Sequence, residues 1–217
     1  MGTGIRCVKV TEKNVFTGYA DGRISVIEVG FGSGVGDWGQ RWVLLDNIAE
    51  IKHIESDGEW LVVATTIFIK VFKIEVDKKP SLVANIPQAA TKVALAYPFL
   101  LCVNEDKFEG LKVWNLEKQQ QLRHIRLNGR MFADIASNGT QVAVMEAVDV
   151  ESVEGNFVFV FNLAEICDVN IPVEKLWRRV RIYEAMFGRE AHVGLTSTCL
   201  ILSHGRSLNI QDFWKGS

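Results

Sequence analysis

The sequence predicts an all-β fold assembled from repeated four-stranded antiparallel units. Three observations carry that reading. Short apolar stretches with alternating patterning follow one another along the whole chain, which is the period of a half-buried strand. Between them lie turn residues, with 18 glycines against 4 prolines, a balance that suits hairpins needing positive φ and few chain stops. No long stretch winds convincingly as an amphipathic helix. The most helix-like piece, Leu176 to Phe187, alternates about as well as it winds and is read as strand.

Each element follows from the same pattern. The first unit has Ile5 to Val10, Asn14 to Tyr19, the Asp21-Gly22 turn, and Ile24 to Val29; Asp-Gly between two alternating runs is a strong hairpin signal. The second has Ile48 to Ile54, Trp60 to Thr65 and Ile67 to Lys73, and the third has Thr91 to Ala96, Phe99 to Val103 and Leu111 to Asn115. The fourth has Met131 to Ala136, Gln141 to Met145 and Phe157 to Asn162, and the fifth has His192 to Thr196, Cys199 to Ser203 and Leu208 to Asp212. A fourth apolar stretch closes the first four units: Trp42 to Leu45, Ser81 to Ile86, Gln121 to Leu127 and Leu176 to Tyr183. Aligned on Ile27, Phe72, Trp114, Phe161 and Gln211, the third strands recur at intervals of 45, 42, 47 and 50 residues. Four-stranded propeller blades recur every ~40–45 residues, with insertions lengthening individual loops. The expectation is one β-propeller domain over 1–217, with units at about 5–45, 48–86, 91–127, 131–183 and 191–214.

The motifs resemble those of the WD-repeat family. Val113-Trp114-Asn115 is similar to the Trp-Asp dipeptide that ends the third strand of such a blade, and Tyr19-Ala20-Asp21-Gly22-Arg23-Ile24-Ser25-Val26 resembles the strand, Asp-Gly turn, strand signature. The likeness covers most of the chain, but the motifs are degenerate. The Trp place is Ile27, Phe72, Phe161 or Gln211 elsewhere, the Asp place is Glu28, Lys73 or Asn162 before Asp212 restores it, and no unit has the family's Gly-His start. The resemblance implies a WD-repeat-like propeller used as a binding scaffold, and among such proteins the substrate receptors of ubiquitin ligases (the F-box and WD-repeat class) read a peptide on the top face. Propellers have about 4–8 blades. Here the fifth unit extends only to its third strand, with Trp214 to Ser217 beyond it, and no spare strand precedes Ile5. The expectation is an atypical propeller or part of a larger one. The second is favoured because an open ring leaves edge strands with unpaired backbone groups.

Composition narrows the function classes. A net charge of −2, from 24 basic and 26 acidic residues, makes no electrostatic case for nucleic acid or an anionic membrane. No apolar run approaches the ~18 residues of a membrane span, and Met1 to Arg6 has no signal-peptide pattern, so a cytoplasmic or nuclear address is expected. Cys7, Cys102, Cys167 and Cys199 lie far apart and read as small buried hydrophobes rather than a disulfide framework.

Candidate chemistry is sparse. Gly34-Val35-Gly36-Asp37-Trp38-Gly39 spells a dinucleotide motif, but that motif needs a following helix and Gln40 to Leu45 reads as a strand, so no cofactor is expected. His192, Cys199 and His204 lack the close ligand pairs of a structural zinc site, so no metal is expected. No nucleophile-elbow or His-paired nucleophile is evident, so the chain is read as no enzyme. Arg178, Arg179 and Arg181 with Trp177 and Tyr183 form a basic, aromatic run that reads as a salt-bridged outer strand rather than a nucleic-acid surface. Asn138-Gly139-Thr140 reads as an Asn-Gly turn.

The loops between second and third strands carry the one suggestive pattern. Glu105, Asp106 and Glu109 lie in the third unit's loop, and Glu146, Asp149, Glu151 and Glu154 in the fourth. In a propeller these loops line one face, so the seven acids would form a rim suited to a basic peptide or an Arg/Lys-rich surface. The expected function is a non-catalytic protein–protein interaction scaffold that binds a partner peptide or domain there. The alternative is a structural subunit of a larger assembly, such as a coat or a pore-like scaffold, whose open edge is completed by a partner strand.

Overall fold

Alternation along the strands is realised as five small antiparallel sheets. The computed structural model describes residues 4–29, 38–45, 49–76, 78–104, 109–126, 131–147, 156–182, 191–204 and 207–212. The chain divides into two units, Met1–Val93 and Ala94–Ser217.

The first unit holds two sheets, each in simple up-and-down order. The first blade runs β1 (Ile5–Val10), β2 (Asn14–Tyr19), β3 (Arg23–Val29) and β4 (Trp38–Leu45), and the second runs β5 (Ile51–Ser56), β6 (Trp60–Thr65), β7 (Ile69–Lys73) and β8 (Ser81–Ile86). The Asp21-Gly22 hairpin forms as its sequence demands. Gly22 sits at φ 84°, a left-handed value glycine adopts at no steric cost. Asp21 accepts from the Arg23 amide at 3.2 Å and pairs with its Nε at 2.7 Å. The core of this unit lies between the two sheets: Phe16, Ile24 and Val26 face Ile51, Ile54, Leu61 and Val63. Gly18 permits that approach, because a Cβ there would stand 2.8 Å from Ile51 Cγ2.

Three more blades make up the second unit. The third comprises β9 (Lys92–Ala96), which crosses the unit boundary, with β10 (Phe99–Val103), β11 (Leu111–Asn115) and β12 (Gln120–Ile125). The fourth comprises β13 (Met131–Ser137), β14 (Gln141–Ala147), β15 (Asn156–Asn162) and β16 (Trp177–Ile182), and the fifth β17 (Ala191–Leu195), β18 (Cys199–His204) and β19 (Ser207–Asp212). Side chains of alternate parity on β14 and β15 serve opposite faces. Val142, Val144, Phe157, Phe159 and Phe161 pack with the third blade's Leu101, Leu111, Val113 and Ile125. Ala143, Met145, Val158 and Val160 pack with Ala191, Val193, Leu200 and Leu202 of the fifth. The fourth sheet is thus apolar on both faces, which makes its strands read as nearly continuous apolar runs.

Several local features differ from the sequence expectation: β4 begins at Trp38 rather than Trp42, and β5 spans Ile51–Ser56 rather than Ile48 to Ile54. Ile67 belongs to the turn before β7, since Thr65 Oγ1 accepts the Phe68 amide and donates to the Phe68 carbonyl. A short helix, α1 (Leu163–Cys167), and a 3-10 turn at Val173–Lys175 occupy the connection between β15 and β16. Asn162 caps α1 by accepting the Ala164 amide at 2.9 Å, and Leu163, Ile166 and Leu176 anchor the connection in the core. The helix-like piece beginning at Leu176 does form a strand, at Trp177–Ile182.

Candidate functional site

Of the seven acids proposed for a rim, the structure describes Glu109 and Glu146; Glu105, Asp106, Asp149, Glu151 and Glu154 lie outside the described residues. Glu109 lies in the second-to-third connection of the third blade, whereas Glu146, expected in the fourth blade's loop, stands on β14 itself because it pairs with Phe132 of β13; β10 and β13 of those successive blades are in contact.

Around Glu109 the chain is tightly built. Gly110 takes φ 79°, and a Cβ on it would run into the Ile125 carbonyl oxygen, so only glycine fits. That turn sets the Glu109 carbonyl against the His124 ring nitrogen and its carboxylate 2.6 Å from Lys112 Nζ. Glu109 therefore brings its own counter-charge, and a basic partner would have to compete with Lys112 for it. Glu146, one residue before the end of β14, is half-buried opposite Phe132 and also has an interaction of its own.

The other motifs can be placed as well. Trp38 and Gly39, the end of the glycine-rich spelling, already belong to β4, so a strand follows where nucleotide binding would need a helix; Gly34 to Asp37 lie outside the described residues. His192 and Cys199 stand on β17 and β18, and the His192 ring meets Asp134 at 3.4 Å. Among the described residues no three His, Cys, Asp or Glu side chains converge. Of Arg178, Arg179 and Arg181 only the backbone is described, opposite β15. The Asn138-Gly139 turn is present, with Asn138 Oδ1 accepting the Thr140 and Gln141 amides at 3.0 and 2.7 Å.

Sequence reading missed three devices. His53 and Asp134 each follow a register irregularity in their blade's first strand, and each accepts a distant backbone amide. His53 Nδ1 takes the Val93 N–H at 3.3 Å, and Asp134 Oδ2 takes the Val193 N–H at 2.9 Å. Nothing in the spelling of one strand marks such long-range bonds. Buried Arg123 on β12 donates through Nη2 to the Asp168 and Ile171 carbonyls at 2.6 and 2.9 Å, and its Nη1 has no partner among the described residues. Nearby, burial pushes the Cys167 thiol up to about 11, against the downward pull of Arg123. The third device explains the degenerate WD position. Asn115 Oδ1 accepts the Lys118 amide at 2.9 Å, and Asn162 at the equivalent place caps α1, so this position caps the turn after the third strand. Asn serves there as well as Asp.

Solved structures match the fold. BamB from Moraxella catarrhalis superposes with a TM-score of 0.62 at 15% identity over 94% of this chain and 57% of that one. Kluyveromyces lactis Hsv2 gives 0.62 at 13% identity over 98% of this chain and 73% of its own, and a second structure of Hsv2 from that organism, with a complete loop 6CD, gives 0.62 at 14% over 93% and 65%. The chain thus spans little more than half of BamB. No family model and no curated protein sequence matches the chain. At this identity the likeness defines the class by fold: an all-β chain of five propeller blades.

Proposed function

We propose that this chain is a non-catalytic protein–protein interaction scaffold of the WD-repeat kind, cytoplasmic or nuclear, that holds a basic peptide or partner domain on the face bearing its second-to-third loops. The observation that supports it is the repetition of one strand order in the third and fourth blades. By that repetition, loops rich in carboxylates leave equivalent positions of two successive sheets in one unit. A rim of such acids would favour an Arg/Lys-rich surface and disfavour nucleic acid, with Glu109 already held by Lys112. A substrate-recognition part of a ubiquitin ligase is the narrower form of this reading, supported by the resemblance of Val113-Trp114-Asn115 and the Asp21-Gly22 hairpin to WD repeats.

The test is titration of an arginine-rich peptide into the chain and into a triple variant, Glu146→Ala with Asp149→Ala and Glu151→Ala. The reading expects at least a tenfold loss of affinity with the thermal midpoint kept. Undiminished affinity would sink the rim. A second reading, a structural subunit of a coat or pore-like scaffold completed by a partner strand, is favoured by one observation: among the described residues the fifth sheet has three strands where the other four have four.

A further inference from the structure

His53 occupies a place that recurs from blade to blade. In the first, second and fourth blades the first strand shifts register at one point, and Cys7, His53 and Asp134 are the residues that follow the shift. Their partners Gly18, Ala64 and Met145 pair in turn with Ile24, Ile69 and Val158, so the three places are equivalent. At two of them the side chain accepts an amide from the first strand of the next blade: His53 from Val93 and Asp134 from Val193. The two acceptors differ in chemistry. A carboxyl group keeps an acceptor oxygen in either charge state, whereas imidazole has an acceptor only while one ring nitrogen is unprotonated.

The bond at His53 fixes which nitrogen that is. The Val93 N–H donates to Nδ1, 3.3 Å away, so Nδ1 carries the lone pair and the ring hydrogen lies on Nε2. Val93 is fully buried, and both residues belong to the first unit. A proton on Nδ1 would set two N–H donors against each other and leave a buried amide unsatisfied. The surroundings do not offset that cost. Packed against β5 are β1, with Arg6, Cys7 and Lys9, β2, with Tyr19, and β6, with no titratable residue, while β9 carries Lys92 beside Val93. On β5 and just before it stand Glu50, Lys52 and Glu55. Glu50 is held by Arg6 and Lys52, and Glu55 by Lys9, so among the described residues these two carboxylates already have cations.

We propose that His53 is an acid-sensitive clasp: its neutral ring ties β5 to β9, and its protonation releases the Val93 amide. The unfolded chain takes up the proton as an ordinary histidine does, and the folded chain resists because the bond needs the neutral ring. The contribution of the clasp is therefore complete above histidine's range and is lost as pH falls through it, from about 7.5 to about 5.5. Asp134 keeps its hold on Val193 throughout. A proton on His192, whose ring lies 3.4 Å from the same Asp134 oxygen, adds attraction there and removes no acceptor.

Hydrogen exchange of the full 217-residue chain, followed by NMR at about pH 7.5 and about pH 5.5, tests the clasp once each amide's rate is corrected for the intrinsic effect of pH. Protection of Val93 should fall about tenfold or more on acidification while that of Val193 is kept. His53→Asn, which offers an acceptor oxygen and cannot take up the proton, should hold Val93 equally at both values. Unchanged protection of Val93 in the parent overturns the proposal. So does an equal fall at Val193, which would mean general loosening by acid, or an equal fall at Val93 in His53→Asn. The ring is also read directly, without any variant, from its nitrogen-15 shifts. They should show an unprotonated Nδ1 at the higher pH, and a protonated Nδ1 there overturns the clasp.

Discussion

A methyl group at Gly18 would stand 2.8 Å from Ile51 Cγ2 and 2.9 Å from Cys7 Sγ, both within the packed core of the first unit. Gly18→Ala should therefore lower stability by about 1–3 kcal/mol, the cost of overpacking a filled core; an unchanged urea midpoint would show that the sheets part easily there. Cys7 lies in the same contact. Burial pushes its thiol up to about 11, outweighing the Gly18 backbone hydrogen bond and the charge of Lys92, and the Cys167 thiol is raised to about 11 as well. Folded thiols that stay protonated above their ordinary value of 9.0 hold more protons than unfolded ones, so their contribution is complete below that value and is lost as pH climbs from 9 to 11. A Cys7→Ser, Cys167→Ser variant should lose stability less steeply than the parent over that interval, and parallel slopes would contradict the shifts.

Strands and turns explain which parts of the architecture could be read in advance. Alternation and Asp-Gly or Asn-Gly turns are local properties of the chain, so the strands and the hairpins at Asp21 and Asn138 were legible. α1 was less so: its signal is short, an Asn162 cap followed three residues later by Glu165, of the kind that opens a helix. The amide-accepting side chains on first strands could not be read from local pattern at all, because Asp134 and Val193 are far apart in the chain. Their bond also yields a test. Asp134→Ala strands a buried Val193 N–H and should cost about 1–3 kcal/mol, whereas Asp134→Asn, which keeps an acceptor oxygen, should recover most of it. Equal losses in the two variants would mean the bond contributes little.

For the whole chain, charge balance limits how a partner can be drawn in. A net charge of −2 provides no long-range field, so attraction of a basic peptide must come from the local rim and should be screened once the Debye length falls to about 8 Å at physiological salt. In the arginine-rich peptide titration, affinity should drop several-fold as salt is raised through that range. Salt-independent binding would move the contact to apolar surface such as the exposed part of β19. Glu109 already shows why acid-rich loops alone overstate such a rim: Lys112, three residues on in the chain, sits 2.6 Å away.

By itself, the sequence determined that the chain is all-β, that five units recur, and where nearly every strand lies. These follow from side-chain alternation and turn chemistry, which act over a few residues. Tertiary structure decided which side chains reach across to distant amides and how far Leu208 and Ile210 of β19 are exposed. Those outcomes depend on what stands beside a residue in space, and in stacked sheets that neighbour comes from tens of residues away.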